Sequence, residues 1–351
     1  MSSKRRGQDG GGDKKRPRAV RQKHLYLVLD DWNKGFTIHK IDAGSFCSGS
    51  NRHDEGFLPK SPALRLDMPQ HVGMFFAAMD CKIFIFMNQR CALVYDTETA
   101  VVAVGPHAPT QMRCGSGIVA PAGGTLYALS YRFLDKQQHS LEAMSWDSTQ
   151  LDELQRPTTG GWSWKTLPAP PPTFSPNQLI ISYAVHPDGC TIFMTTAYRD
   201  RPGLHVGTFS FNTKNSVWKW HGEWALPFIG QGYFDTELDQ WVGLRKDGYI
   251  CSCPVASRTR SLTRIMQLDW QMAKEKLFRK DPERHMSASH SVIREGEDMK
   301  YPLGDQNSCA IHMTMFGLKH NYKRELHTTN LQSSRSYIVS RHKSYFSPEA
   351  F

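Results

Sequence analysis

The sequence predicts an all-β fold, a β-propeller of about six four-stranded blades, at the ~40–50-residue period such blades keep. Three observations predict it. Short apolar runs of strand length recur along the chain and are bounded by turn residues. Strand–turn–strand units repeat at a spacing near one blade. Tryptophans fall in or beside most of the candidate strands, where an aromatic can wedge between neighbouring sheets.

Composition supports one large folded unit. The apolar share of 39% with 9 Trp, 12 Tyr and 18 Phe is ample for a core in a chain of 351 residues. No apolar run approaches the length of a membrane span, so no membrane partner is expected. The first residues carry no apolar stretch of the secretory kind. The eight cysteines are scattered, at 47, 81, 91, 114, 190, 251, 253 and 309, which fits reduced thiols in cytosol or nucleus.

The net charge of +10 is concentrated at one end. Residues 1–23 hold nine Lys or Arg against two Asp, a net of +7, and the rest of the chain keeps only +3. A basic nucleic-acid-binding face on the folded body is therefore not implied. The tail has two basic clusters, Lys4-Arg5-Arg6 and Lys14-Lys15-Arg16 with Arg18, separated by a spacer containing Gly10-Gly11-Gly12. It is read as a disordered segment, 1–23, with the pattern of a bipartite nuclear import signal. The bland alternative is a solubilising or polyanion-binding tail. The expected compartment is nucleus or cytoplasm, with the nucleus favoured.

From His24 the texture changes, and 24–345 is read as the folded domain. His24 to Leu29 is a strand run, Asp30 to Gly35 a turn, and Phe36 to Ile41 an alternating second strand. Val72 to Ala78, Lys82 to Met87 and Cys91 to Tyr95 follow, then the turn Asp96 to Thr99 and the run Ala100 to Val104.

The stretch after residue 122 is the most informative. Gly123-Gly124 leads into Thr125 to Leu129, then Leu141 to Asp147, then Trp162 to Pro168 with Trp164 at its centre. A double glycine, two strands and a tryptophan opening the last strand mark a kelch blade, so the propeller is expected to be kelch-like. The glycines are read as close-packing positions near a central channel. Trp164, Trp218 and Trp241 are read as wedges between blades.

The pattern recurs in degraded form. Tyr183 to Val185, the turn His186-Pro187-Asp188-Gly189, and Cys190 to Met194 make a hairpin. Thr208 to Phe211 runs through Asn212 to Asn215 into Val217 to Trp220. Gly232 to Val242 repeats strand, turn and tryptophan strand. The turns opening at Asp96, Asn212 and Asp235 all place Thr second, behind a side-chain oxygen able to bond the turn backbone. Pro168 to Pro172 is read as the passage between blades. Trp270 to Lys280 shows weak helical spacing at Trp270, Ala273 and Leu277, stopped by Asp281-Pro282. Residues 256–308 are otherwise hard to assign. Strand character returns at Ala310 to Phe316 and Tyr337 to Val339, and His24 to Leu29 is expected to complete the last blade. The competing architecture is a large β-sandwich or two smaller β domains.

Four segments in combination carry a family resemblance: His24 to Trp32, Tyr183 to Gly189, Gly230 to Asp239, and Cys251-Ser252-Cys253. Together they resemble a plant family, expanded in grasses, named only as a domain of unknown function (number 1668) and judged kelch-like. The resemblance covers His24 to about the mid-280s. It implies a kelch-like fold and carries no functional residues to transfer. Many plant kelch propellers follow an F-box, and only 23 residues precede the first strand here, too few for that module.

Motifs of catalysis are absent from the chain. It has no GxSxG, HExxH, P-loop or GxGxxG, and Gly115-Ser116-Gly117 lacks the spacing of a nucleophile elbow. Cys251 and Cys253 would share one face of a strand and could join a soft metal site or a redox pair. The pair is too tight for the usual zinc spacing with His285 and His290, and packing between blades is the preferred reading. His186 and Asp188 are accounted for as hairpin-turn chemistry. No catalytic residue, cofactor or metal is assigned. The expected function is a non-enzymatic, monomeric interaction module that presents loops to a protein partner. An enzyme with its site in the channel is one alternative. Nucleic-acid contact through the tail alone is the other.

Overall fold

The computed structural model describes residues 23–31, 35–46, 55–58, 61–67, 74–87, 92–107, 109, 117–130, 140–146, 161–168, 178–198, 201, 204–256, 269–276 and 309–340. Its strands, in order, begin with β1 (His24–Asp31), β2 (Gly35–Asp42), β3 (Glu55–Phe57) and β4 (Leu64–Asp67). Then come β5 (Met74–Met79), β6 (Lys82–Met87), β7 (Ala92–Asp96) and β8 (Val102–Val104). A third group is β9 (Gly117–Ala122), β10 (Thr125–Ser130), β11 (Ser140–Trp146) and β12 (Trp162–Leu167). A fourth is β13 (Gln178–Val185), β14 (Thr191–Tyr198), β15 (His205–Asn212) and β16 (Val217–Gly222). The chain goes on through β17 (Gly230–Asp235), β18 (Gln240–Leu244), β19 (Tyr249–Pro254), β20 (Gln271–Lys276), β21 (Cys309–His320) and β22 (Leu326–Ser340). The one helical turn among the described residues is a 3₁₀ turn at Ala43–Phe46, so the fold is all-β. Among the described residues no helix is long and apolar enough to cross a membrane.

The strands pair mostly with their sequence neighbours. β5-β6-β7-β8 and β9-β10-β11-β12 are antiparallel four-stranded meanders. An eight-stranded sheet consists of the meanders β13 to β16 and β17 to β20. They are joined by a short parallel pairing of β13 with β17, from Ser182–Gly230 to Ala184–Gly232. β1 and β2 pair from His24–Asp42 to Asp31–Gly35, and β4 adds to β2.

At the other end of the chain, β21 and β22 form a hairpin, and β3 lies parallel to β22 from Glu55–Ser336 to Phe57–Ile338. So the N-terminal strand that pairs with the C-terminal hairpin is β3, where the sequence pointed to His24 to Leu29. Those residues touch the hairpin through side chains instead. Leu27 and Leu29 pack with Tyr337 and Leu58.

Strands β1, β6 and β14 explain the near-continuous apolar runs. A strand covered on both faces needs apolar residues at every position rather than at alternate ones. In β1, Tyr26 and Val28 face the β5–β8 sheet, while Leu27 and Leu29 face β22. In β6, Ile83 and Ile85 face β1 and β2, while Phe84 and Phe86 face the β9–β12 sheet. In β14, Ile192 and Met194 meet Tyr127 and Leu129, while Phe193 turns to Trp241 and Phe228. The remaining junction joins Ile250 and Ala273 to Leu326. Each successive pair of sheets thus shares an apolar layer among the described residues. One further layer links the first sheet to the last.

Of the segment read as helical, Trp270 to Lys280, the described residues 271–276 form strand β20. Gln271 and Met272 pair with Ser252 and Cys251, and burial alternates along it, with Ala273 fully buried between exposed Met272 and Lys274. The helical spacing offered too few apolar residues to bury. The open edge of β19 offered a row of unpaired backbone groups, and pairing satisfied them.

Candidate functional site

One cleft stands out where the first sheet meets the second. It has a volume of about 750 Å³ and is lined by His24, Tyr26 and Lys40 from β1 and β2, and by Asp80, Cys81 and Lys82 at the β5–β6 turn. Thr97 and Glu98, from the β7–β8 turn, complete the wall. These turns are held by their own sequence. Asp80 adopts a left-handed φ of 55°, a conformation that Asp tolerates because its short side chain can bond locally. Asp96 Oδ1 accepts the N–H groups of Glu98 and Thr99, both at 3.0 Å. Thr97 then clasps the neighbouring turn, its N–H and Oγ1 both donating to the Cys81 carbonyl at 2.8 Å.

The cleft spans two sheets because Tyr26 does. Its hydroxyl donates to the Thr97 carbonyl at 3.3 Å, its ring meets the Tyr95 ring edge-on at 6.5 Å, and Lys40 Nζ lies 5.9 Å from its centroid. Lys82 Nζ donates to Asp96 Oδ2 at 2.8 Å and lies 3.7 Å from Cys81 Sγ. The Asp96 carboxylate keeps Lys82 above the usual ammonium range. The same bond and the turn N–H groups hold Asp96 well below the usual carboxylate range. Both groups stay charged across the physiological range. They are fixed charges, and neither is poised to move a proton.

The clasp recurs. Asn212 Oδ1 accepts Lys214 N–H at 3.0 Å and Asn215 N–H at 3.3 Å, and Thr213 bonds the Cys190 carbonyl through N–H at 2.8 Å and Oγ1 at 3.0 Å. In both cases the turn joins the third and fourth strands of a meander to the turn between its first and second. The Asp235 turn makes the same side-chain caps, to Glu237 at 2.9 Å and Leu238 at 3.0 Å, but joins β17 to β18. Its position in the meander is different.

The tryptophans lie at sheet junctions. Trp218 packs on Phe211 at 5.0 Å and its Nε1 donates to the Pro168 carbonyl, just past β12, at 3.1 Å. Trp241 is fully buried against Phe193 at 5.2 Å and donates to the Val185 carbonyl of β13 at 3.0 Å. Trp164 is half-buried against Phe86 at 5.6 Å, and its Nε1 meets no hydrogen-bond partner among the described residues.

Gly123 and Gly124 form the two-residue turn between β9 and β10, with φ of 55° and 74°. Their role is left-handed turn geometry. A Cβ on Gly124 would meet nothing, and one on Gly123 would reach only the Gly189 carbonyl at 3.4 Å. Close approach, which the sequence assigned to this pair, belongs to Gly232 and Gly243, where any Cβ would overlap the Phe228 ring. Gly243 carried no mark in the sequence. The nearest signal was its place beside Trp241-Val242 on a strand.

Cys251 and Cys253 share one face of β19, fully buried with Trp241, Phe228 and Ala256. Burial pushes the Cys251 thiol up to about 12 and Cys253 higher still. Such thiols stay protonated and pack as small apolar groups. His186 and Asp188 close the β13–β14 turn. Asp188 N–H donates to His186 Nδ1 at 3.1 Å, and Asp188 Oδ1 accepts from Cys190 N–H at 2.8 Å and Thr191 N–H at 3.0 Å. Burial works to raise the Asp188 carboxyl, but the bonds to Cys190 and Thr191 outweigh it and hold it low. No group of three or more metal-ligating side chains is placed to hold a metal among the described residues. Lys4, Arg5, Arg6, Lys14, Lys15, Arg16 and Arg18 lie outside the described residues, as do His285 and His290.

Comparison with solved structures gives similarities at low identity and low TM-score. The chain is similar to a periplasmic gluconolactonase of Pseudomonas aeruginosa, at 10% identity over 86% of this chain and 73% of that one, TM-score 0.39. It is similar to a protein of unknown function from Bacteroides thetaiotaomicron, at 10% identity over 66% of this chain and 62% of that one, TM-score 0.35. A third likeness is to the Pan2 WD40 domain of Neurospora crassa, at 12% identity over 63% of this chain and 56% of that one, TM-score 0.33. The chain thus spans less than two thirds of the length of the latter two. No curated protein sequence matches it. One family model does match, over residues 22–337, and on that match the chain belongs to the family described as "Protein of unknown function (DUF1668)".

Proposed function

We propose that the chain is a non-enzymatic protein-interaction module. In this reading residues 24–345 form a kelch-like propeller of six blades whose loops around the Tyr26–Lys82 cleft receive a protein partner. Two features support the ring: apolar layers between successive sheets, and the contacts of β1 and β3 with the C-terminal hairpin. The short parallel pairing of β13 with β17 is what neighbouring first strands of two blades would make.

The observation that supports binding is the ion pair at 2.8 Å between Lys82, in the cleft wall, and Asp96. It holds both groups in fixed opposite charges. With Lys40, Asp80 and Glu98 around the same cleft, the surface offers charges of both signs to a complementary partner. Affinity purification from nuclear extract with residues 24–345 tests this. A stoichiometric protein should be retained, and a Lys40→Glu, Glu98→Lys double variant should lose it. Retention of nothing, or of nucleic acid alone, defeats the reading.

The basic tail supplies the address in this account, as a bipartite nuclear import signal built from Lys4-Arg5-Arg6 and Lys14 to Arg18. Residues 1–23 fused to a cytosolic reporter should carry it into the nucleus, and a reporter left in the cytosol rejects the assignment.

A further inference from the structure

Strand β1 is packed on both faces, yet among the described residues it is bonded along one edge only. The Ala43 N–H donates to the Lys23 carbonyl at 2.9 Å, which fixes the phase of the β1–β2 ladder. Leu25, Leu27 and Leu29 therefore exchange backbone bonds with β2, and the N–H and C=O groups of His24, Tyr26, Val28 and Asp30 point the other way. The β2–β4 ladder agrees. There the Ala63 N–H donates to the Ile38 carbonyl at 2.7 Å, so the even-numbered residues of β2 turn away from β1. Tyr26 is only 8% exposed and Val28 2%, so bulk water scarcely reaches their backbone groups. Buried N–H and C=O groups are paired in folded chains, because one left alone forfeits its solvation for nothing.

The other sheets show what belongs at that edge. β6, β10, β14 and β18 are also packed on both faces, and each has the first strand of its meander beside it: β5, β9, β13 and β17. Those four strands run antiparallel to their neighbours. They carry no Lys, Arg or Glu, and their one charge is Asp235 at the end of β17. The sheet β1-β2-β4 has no such strand among the described residues. Its open edge thus fits an uncharged segment of strand length, antiparallel to β1. The residues just before β1 are unsuited, since Lys14 to Arg21 holds five basic side chains and Pro17.

We propose that the open edge of β1 is a docking site for this chain's own segment Ser344-Tyr345-Phe346-Ser347, added as the missing first strand. The segment is uncharged, and Pro348, which has no N–H to give, ends the pairing. It also starts close by. Tyr337 on β22 packs against Leu27 and Leu29, and β22 ends at Ser340. Residues 341–343 are all that separate Ser340 from the segment, and three extended residues span roughly 10 Å, about the thickness of one packed layer. Running antiparallel to β1, the segment enters beside Leu29 and leaves beside Tyr26 and His24, both of which line the cleft. Glu349 and the residues after it then come to the mouth of the cleft. The inference goes beyond the reading of that cleft as a protein-docking surface, and either can fail without the other.

The test is amide hydrogen exchange read residue by residue along β1. In the full chain the Tyr26 and Val28 amides should exchange as slowly as those of Leu27 and Leu29. In a chain cut after Lys343, exchange at Tyr26 and Val28 should quicken by about tenfold or more relative to Leu27 and Leu29. A synthetic peptide of residues 341–351, added in excess, should slow it again. If the shortened chain does not fold, Phe346→Pro in the full chain gives the same comparison, since it removes one strand N–H and leaves Tyr345 in place. Free exchange at Tyr26 and Val28 in the full chain overturns the proposal, because the edge would then stand open to a partner's strand. So does protection that survives both the cut and Phe346→Pro, which would assign the edge to another segment.

Discussion

The indole Nε1 of Trp241 donates to the carbonyl oxygen of Val185 at 3.0 Å and so joins two meanders that share only a short backbone pairing. The ring behind that bond is fully buried against Phe193. Trp241→Phe keeps much of the apolar volume but strands the carbonyl, and should lower unfolding stability by about 1–3 kcal/mol. Trp218→Phe removes an equivalent bond to Pro168 from an exposed position, where water can replace it. Its cost should be about 1 kcal/mol or less. Urea unfolding of the two variants side by side checks the order.

Two glycines near Trp241 matter for a different reason than the pair that drew notice in the sequence. Gly124→Ala places a side chain at a φ of 74° in open space, and should cost about 1 kcal/mol. Gly243→Ala drives a methyl into the Phe228 ring, and should cost about 1–3 kcal/mol or more. Adding Phe228→Leu should recover part of the second loss and none of the first, as a double-mutant cycle would show.

The buried thiols should be silent. With Cys251 held up at about 12 by burial, and Cys253 higher, neither should react with a maleimide at pH 8 while the chain is folded. Half-buried Cys81, in the cleft wall, should label first among the cysteines at 81, 190, 251 and 253. Peptide mass spectrometry of a timed reaction separates these positions.

Glu142 gives a pH dependence with a definite sign. It is buried on β11, and burial raises its carboxyl above the ordinary range, against the Thr166 hydroxyl that donates to Oε2 at 2.8 Å. The folded chain therefore holds a proton there more tightly than the unfolded chain, so stability falls as pH rises between the two values and stays lower above them. Glu142→Gln keeps an acceptor for Thr166. It should stabilise the fold at pH 7, by about 1 kcal/mol, and have little effect below the ordinary carboxylate range. Thermal unfolding of both proteins from pH 4 to pH 8 checks it.

Much of the fold was legible because its strands obey local rules. The hairpin of β1 and β2, and that of β13 and β14, announce themselves by apolar runs around turn residues. The Asp96 and Asn212 turns use the side-chain caps their sequence advertises. β20 was misread because Ala273 is its only fully buried residue, and what holds it as a strand is the edge of β19, which no local pattern reveals. β3 escaped for a similar reason, since its pairing partner lies on the far side of the chain at Ser336 to Ile338. The cleft was illegible as a unit. His24, Lys40, Cys81 and Glu98 meet only because Tyr26 reaches Thr97 across a sheet junction.

Closure of the proposed ring is tested most directly by joining its ends. Glu55 and Ser336 are register partners on the parallel strands β3 and β22, a pairing that sets Cα atoms roughly 4.8 Å apart, within reach of a disulfide. In a Glu55→Cys, Ser336→Cys variant, mild oxidation of the monomer should link the two positions within one chain, seen as a cross-linked peptide on mass spectrometry. A variant that folds but stays unlinked, or links only between chains, would contradict the closed ring.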